Sequence, residues 1–224
     1  MENSLKQVQC RLERVAEQVG RPVAAIHLLA VSKMQTPESI RQLYQRGQRD
    51  FGENYLQEAV DKQQQLADLD IVWHFIGPVQ RNKTQEIARS FSWVHSVDRL
   101  VVAQRLSAQR PSGMRPLDIC IQVNMDGETS KSGCPPQAVA ELVAAVIALP
   151  QLRLRGLMTL PAPGNTQAFY ALAEVLRQLQ CTWPQLDSLS MGMSADLEDA
   201  VRAGATWVRV GTALFGKRNQ REGI

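Results

Sequence analysis

A lysine, Lys33, closes the apolar run His27-Leu28-Leu29-Ala30-Val31-Ser32, and Met34-Gln35-Thr36-Pro37-Glu38 opens a helix directly after it. An amine at the exit of a buried strand is partly desolvated. Desolvation lowers the pKa of such an amine and makes it a nucleophile able to form a Schiff base with an aldehyde. Far along the chain, Met191-Gly192-Met193-Ser194 and Gly211-Thr212 have the composition of a phosphate cradle. Gly192 lets backbone approach a ligand closely, Ser194 is a natural helix cap, and Gly211 and Thr212 can offer amides and a hydroxyl to the same anion. Taken singly, Ser194 also reads as a plain cap and Gly211 as a plain turn. An amine that captures aldehydes, together with a seat for phosphate, points to pyridoxal phosphate.

The elements that must position these residues alternate regularly. Leu5, Val8, Leu12, Val15 and Val19 recur at helical spacing, and Gly20 can end that first helix in the left-handed conformation. A strand over 27–32 follows. Thr36 then caps a helix with Pro37 at its first position and Glu38 near the positive end of the dipole, and Gly47 closes it. Further strands are predicted around Phe51 and over 71–76, 93–95, 119–123, 154–158, 186–189 and 207–210, with helices over 56–66, 83–89, 99–108, 137–149, 167–179 and 195–203. Many strands are continuous apolar runs, as in a parallel sheet covered on both faces. About eight strand–helix units after one extra helix fit a (β/α)₈ barrel of the TIM type, with a doubly wound open sheet as the competing architecture. No linker divides the chain, so residues 1–224 are expected to form one domain.

In such a barrel the loops after the strands build the site, and phosphate commonly sits after strands seven and eight. Both cradle segments fall there. Arg209 should share a strand face with Gly211; if that face is the interior, its guanidinium points at the ligand. Arginine cannot accept a proton, so beside a pyridine nitrogen it would keep that nitrogen unprotonated and weaken the ring as an electron sink. Its alternative is a surface salt bridge. Asn54 and His74 stand near the exits of strands two and three and are candidate ligand contacts, although a histidine in an apolar run is also a common core residue. Gln80, Asn82, Lys83, Gln122, Asn124, Lys131 and Gly133 also fall near strand ends, Lys131 with solvated-loop character.

Composition narrows the class. The 224 residues carry a formal charge of +3 with 44% hydrophobic residues, and the basic residues are dispersed. That disfavours nucleic-acid binding while suiting weak attraction of anions. Cys10, Cys120, Cys134 and Cys181 form no C-x-x-C pair and stand at no metal-ligand spacing from a histidine, so scattered thiols in a reducing cytoplasm are expected and no metal. The polar start, Met1-Glu2-Asn3-Ser4-Leu5-Lys6, lacks a signal core, and no apolar stretch is long enough to span a bilayer.

Ala30-Val31-Ser32-Lys33, Phe51-Gly52-Glu53-Asn54, Trp73-His74-Phe75-Ile76-Gly77, Gln122-Val123-Asn124, Gly156-Leu157-Met158, the segment from Leu189 to Asp196 and the segment from Arg209 to Gly216 together resemble the pyridoxal phosphate homeostasis protein family, in order from about Leu29 to Arg218. One departure is Val79 before Gln80, where the family more often has leucine. The resemblance implies a fold-type III barrel like the N-terminal domain of alanine racemase, without a β-rich second domain. It implies a covalent aldimine at Lys33, phosphate contacts from Ser194, Gly211 and Thr212, and Arg209 near the pyridine nitrogen. Asn54, His74, Gly192 and Met193 complete the expected cofactor-binding set, with no catalytic residue assigned.

The implied role is to bind, buffer and deliver the cofactor, with PLP-dependent apo-enzymes as partners. The competing reading is an amino-acid racemase. Racemases resembling this barrel carry a second domain that contributes a tyrosine to the partner's site. The tyrosines here are Tyr44, Tyr55 and Tyr170, and only Tyr55 falls near a strand end. Racemisation needs acid and base on opposite faces, so a non-catalytic carrier, expected to be a monomer, ranks first. A sugar-phosphate isomerase would use Glu53 and His74 and leave Lys33 without a purpose.

Overall fold

The computed structural model describes residues 2–128 and 131–216, with the backbone only for Glu2 and Asn3. Helix α1 (Glu2–Gln18) precedes a regular alternation: β1 (His27–Val31), α2 (Pro37–Gln45), β2 (Asp50–Glu53), α3 (Leu56–Gln65), β3 (Val72–Phe75), α4 (Thr84–Ser90), β4 (Trp93–Val97), α5 (Leu100–Gln109), β5 (Leu117–Gln122), α6 (Val139–Ile147), β6 (Leu152–Met158), α7 (Gln167–Gln180), β7 (Ser188–Ser190), α8 (Leu197–Arg202), β8 (Trp207–Val210) and α9 (Thr212–Phe215). The strands pair in chain order and β1 closes on β8, so the sheet is a parallel barrel and not an open doubly wound sheet.

Strand pleating separates two apolar layers. On β1, Leu28 and Ala30 pack outward beneath the helices while Leu29 and Val31 face the interior; on β8, Val208 and Val210 face out and Trp207 faces in. The interior is filled by Leu29, Ile76, Trp93, Cys120, Met158 and Trp207. Arg209 follows Trp207 by two residues and is therefore aimed inward, where it is buried.

Local signals set the boundaries near the site. Thr36 Oγ1 accepts from the Ser39 amide at 3.2 Å with Pro37 starting α2, and Gly20 and Gly47 have φ of +65° and +100° after their helices. Two features differ from expectation. Ser194 does not cap a helix: a turn intervenes, in which Asp196 Oδ1 accepts from the Met193 amide at 2.5 Å, and α8 starts at Leu197 with Asp196 at its cap. After β8, the chain turns at once into the single-turn α9.

Candidate cofactor site

A cavity of about 310 Å³ opens where the carboxyl ends of the strands meet, and Lys33, Asn54, Met193, Ser194, Arg209, Gly211 and Thr212 all line it. Two walls can be distinguished, each held by different chemistry.

The lysine wall is the turn after β1. Met34 adopts φ +61°, a left-handed conformation uncommon outside glycine. The peptides on either side of Lys33 are clamped. Lys62, 4% exposed on α3, donates from Nζ to Ser32 O at 2.7 Å, to Glu53 Oε1 at 2.8 Å and to Glu58 Oε1 at 2.6 Å. Glu58 Oε1 in turn accepts from the Met34 amide at 2.5 Å, and Ser32 Oγ donates to Glu53 Oε1 at 2.6 Å. Burial raises the Glu53 pKa, and attraction to Lys62 opposes that rise without cancelling it. Next along the rim, Asn54 Oδ1 is buried and accepts no hydrogen bond among the described residues. A buried acceptor left this way has room for one donor, from a water or a ligand. Gly77 fixes the approach of this loop, since a Cβ there would stand 2.1 Å from Asn54 O.

The other wall, where an anion seat is expected from the sequence (the anion wall), is formed by the turns after β7 and β8. Gly192, at φ +86°, swings the chain so that Met193 and Ser194 reach the cavity; a Cβ at that position would stand 2.4 Å from the Ala200 Cβ. Gly192 shapes this wall and does not itself line the cavity. Arg11 of α1 secures it from outside, donating Nη2 to Ser194 O at 3.0 Å while its Nε and Nη2 grip Glu198 at 2.7 and 2.8 Å. Between the walls lies Arg209, whose Nη1 donates to Ser190 Oγ at 2.8 Å and whose Nη2 donates to Thr159 O at 2.9 Å. Burial pulls its pKa down to about 10, so it remains a cation at neutral pH. Among the described residues it makes no salt bridge, and at 3% exposed it is not a surface group.

Other expected residues lie elsewhere. His74 is fully buried inside the barrel and does not line the cavity, as the core-histidine alternative has it, with Nε2 3.0 Å from Asp50 Oδ1 and Nδ1 3.0 Å from His95 Nε2. Its strand position put it one layer below the mouth, where polar partners from β2 and β4 enclose it. Asn124 and Lys131 brace the loop after β5, Asn124 Nδ2 donating to Glu128 O at 2.7 Å and Lys131 Nζ to Asp126 Oδ2 at 2.5 Å. Glu53 faces α3, outside the barrel, so it cannot serve as the base of an isomerase. Lys62, Arg11, Ser190 and Thr159 were missed. Only Lys62 left a trace in the sequence, as a Glu58–Lys62 pair at i,i+4. Among the described residues no cluster of His, Cys, Asp or Glu could hold a metal ion.

Fold and site together define a barrel of the type whose family is described as "Alanine racemase, N-terminal domain", and that family matches residues 4–219. Similarity to known proteins narrows this further. The pyridoxal phosphate homeostasis protein of Pseudomonas aeruginosa is 54% identical over 221 residues, covering 96% of this chain and 95% of that protein. The solved structure of PipY from Synechococcus elongatus with PLP bound superposes with a TM-score of 0.81 at 38% identity, covering 92% of this chain and 100% of that one. An alanine racemase from Clostridium difficile shares the fold, with a TM-score of 0.74 at 14% identity over 99% of this chain and 59% of the racemase. The chain belongs to the pyridoxal phosphate homeostasis protein family.

Proposed function

We propose that this protein binds pyridoxal phosphate and holds it in reserve for other proteins, without turnover of its own. One observation carries the reading: a single cavity brings Lys33, the Ser194–Gly211–Thr212 turns and Arg209 together. In this reading Lys33 is the amine that bonds the cofactor's aldehyde carbon, while Ser194, Gly211 and Thr212 seat the phosphate. Arg209 faces the ring nitrogen as a donor that cannot give up its proton at neutral pH. Asn54 Oδ1, buried without a partner among the described residues, suits a donor on the ligand. Met193 packs at the rim. When bound, the cofactor supplies an aldehyde and a conjugated ring, and the arginine withholds the ring protonation that would make it a strong electron sink.

The finer parts of the reading are a monomeric carrier in the cytoplasm that hands its cofactor to PLP-dependent apo-enzymes. The exposed free thiols of Cys10 and Cys181 suit a reducing compartment. No helix among the described residues is long and apolar enough to cross a membrane.

The test is spectroscopic. Protein loaded with pyridoxal phosphate should be yellow, borohydride should bleach the band, and peptide mapping should place the reduced adduct on Lys33. An adduct on Lys62 or Lys131 overturns the assignment. Amino acids incubated in deuterium oxide should show no enzyme-like exchange of their α-proton; rapid exchange would make the protein a racemase.

A further inference from the structure

Two of the three histidines are sealed inside the barrel, and the cavity uses neither. They belong to one continuous line of hydrogen bonds. It starts at Arg209 on the cavity floor and passes Ser190, His95 and His74. It ends at Asp50, the first residue of β2, whose side chain is 27% exposed at the far end of the barrel. The successive separations are 2.8, 2.7, 3.0 and 3.0 Å.

The direction of every proton in this line follows from its ends. A guanidinium has only donors, so Ser190 Oγ must accept from Arg209 Nη1. The hydroxyl proton of Ser190 then goes to His95 Nδ1. His95 Nδ1 is thereby an acceptor, which places the His95 proton on Nε2, facing His74 Nδ1. His74 must in turn carry its proton on Nε2, where the Asp50 carboxylate accepts it. Reversing the line would require a protonated Asp50 and would leave Ser190 accepting from both sides. Burial supports the neutral forms: it holds the His95 pKa well below 6.5, with the Arg209 charge adding to the effect. His74 is also lowered, chiefly by burial, although Asp50 and Asp118 pull the other way.

Because arginine stays protonated, this line cannot pass a proton from the cavity to the far mouth. It can fix orientation. We propose that Ser190, His95 and His74 are positioning residues: a one-way line anchored on Asp50 keeps the Ser190 lone pair on Arg209 and so sets the guanidinium in the cavity. The proposal deepens the pyridoxal phosphate reading and rests on it for its consequence at the ring nitrogen, but the proton order can be tested without any ligand.

Nitrogen-15 NMR of histidine-labelled protein, free of cofactor, should find His74 and His95 both neutral with the proton on Nε2 at neutral pH. A proton on Nδ1 of either ring, or an imidazolium, overturns the line. The second arm uses pyridoxal 5′-phosphate on the wild type, Ser190→Ala, Ser190→Thr and His95→Gln. Ser190→Ala should still be trapped by borohydride at Lys33, with a shifted absorption band and roughly tenfold weaker binding, the size of one charge-assisted hydrogen bond. Ser190→Thr keeps the hydroxyl and should restore both. His95→Gln should shift the band in the same direction as Ser190→Ala. If Ser190→Ala folds and matches the wild type in band and affinity, the positioning role is refuted. If the wild type itself binds no pyridoxal phosphate, the cofactor reading fails, and the NMR result still judges the line.

Discussion

The two walls of the cavity hold their functional groups by opposite means. Behind Lys33 stand three charged side chains, Lys62, Glu53 and Glu58, two of them almost wholly buried. Behind the anion seat stand glycine geometry, the Asp196-capped turn and an external strut from Arg11, with its Glu198 pair only partly exposed. The difference follows from what each wall must present. A seat for phosphate needs amides and hydroxyls at the right positions, and a turn with a positive-φ glycine supplies those from the backbone. A reacting amine needs a defined direction on a flexible four-carbon stem. Here the backbone on both sides of Lys33 is pinned, Ser32 O by the Lys62 ammonium and the Met34 amide by Glu58. A buried ion pair is a poor source of net stability, so its presence here is better explained by the geometry it imposes on the turn.

The largest effect should come from the reacting amine itself. On the proposed reading Lys33→Ala should remove all covalent capture of pyridoxal phosphate, read as loss of the borohydride-trapped adduct, while circular dichroism stays native and the phosphate ester still binds weakly. Collapse of the fold would mean that the two walls are not separable in the way described. Lys62→Met comes next. It leaves Glu53 buried without its cation, and breaking such a pair costs about 3–5 kcal/mol, measurable by urea unfolding. Adduct formation at Lys33 should slow in this variant even where it remains folded, while affinity for inorganic phosphate, a probe of the other wall alone, should hold. Equal loss on both probes would erase the distinction between the walls.

The sequence revealed the frame of both walls better than their backing. Strand β8 was expected over 207–210 and is Trp207–Val210, because an apolar run between Gly204 and Gly211 leaves little choice. The Thr36–Pro37 start of α2 was equally legible, since capping chemistry is local. Strand β7 was expected over 186–189 and is Ser188–Ser190. The polar Ser190 counts against a strand until Arg209 and His95 are seen to satisfy it. Ser194 read as a cap because any serine before a helical run does; only the Met193–Asp196 bond shows the intervening turn. Lys62 lies within the helix expected over 56–66, and nothing local says that Glu53 and Ser32, from two other elements, close over it. His74 stood between a ligand contact near a strand exit and a core histidine in an apolar run; its partners Asp50 and His95, from neighbouring strands, are what bury it. Pairings across the barrel were what the linear order concealed.

Acid should separate the interior line from the lysine wall. His74 and His95 resist protonation in the fold, while the unfolded chain takes up protons near the ordinary histidine value of about 6.5. The unfolded state then binds more protons, so the histidines' contribution is intact above that pH and is lost progressively below it. Each histidine can remove up to about 1.4 kcal/mol per pH unit in that range. His74 is faced by Asp50 and His95, with Asp118 and His27 nearby, and His95 by His74, Ser190 and Arg209. Urea midpoints measured from pH 7.5 to 5.0 should therefore fall, and His95→Gln should flatten the slope. A slope unchanged in that variant would trace the acid sensitivity to other groups.

The smallest effect tests the external strut. Arg11→Ala removes the paired contact to Glu198 and the bond to Ser194 O, both at a partly exposed surface where such a pair is worth about 1 kcal/mol or less. Unfolding should shift by no more than that. Ser194 would lose its anchor to α1, so phosphate and pyridoxal phosphate should both bind a few-fold more weakly, while the rate of adduct formation at saturating cofactor stays that of the wild type. Arg11→Lys keeps a charge but not the fork that reaches Glu198 and Ser194 O together, and should recover only part of the affinity. If Arg11→Ala instead slows adduct formation as strongly as Lys62→Met does, α1 governs the lysine as well as the anion seat, and the walls act as one unit.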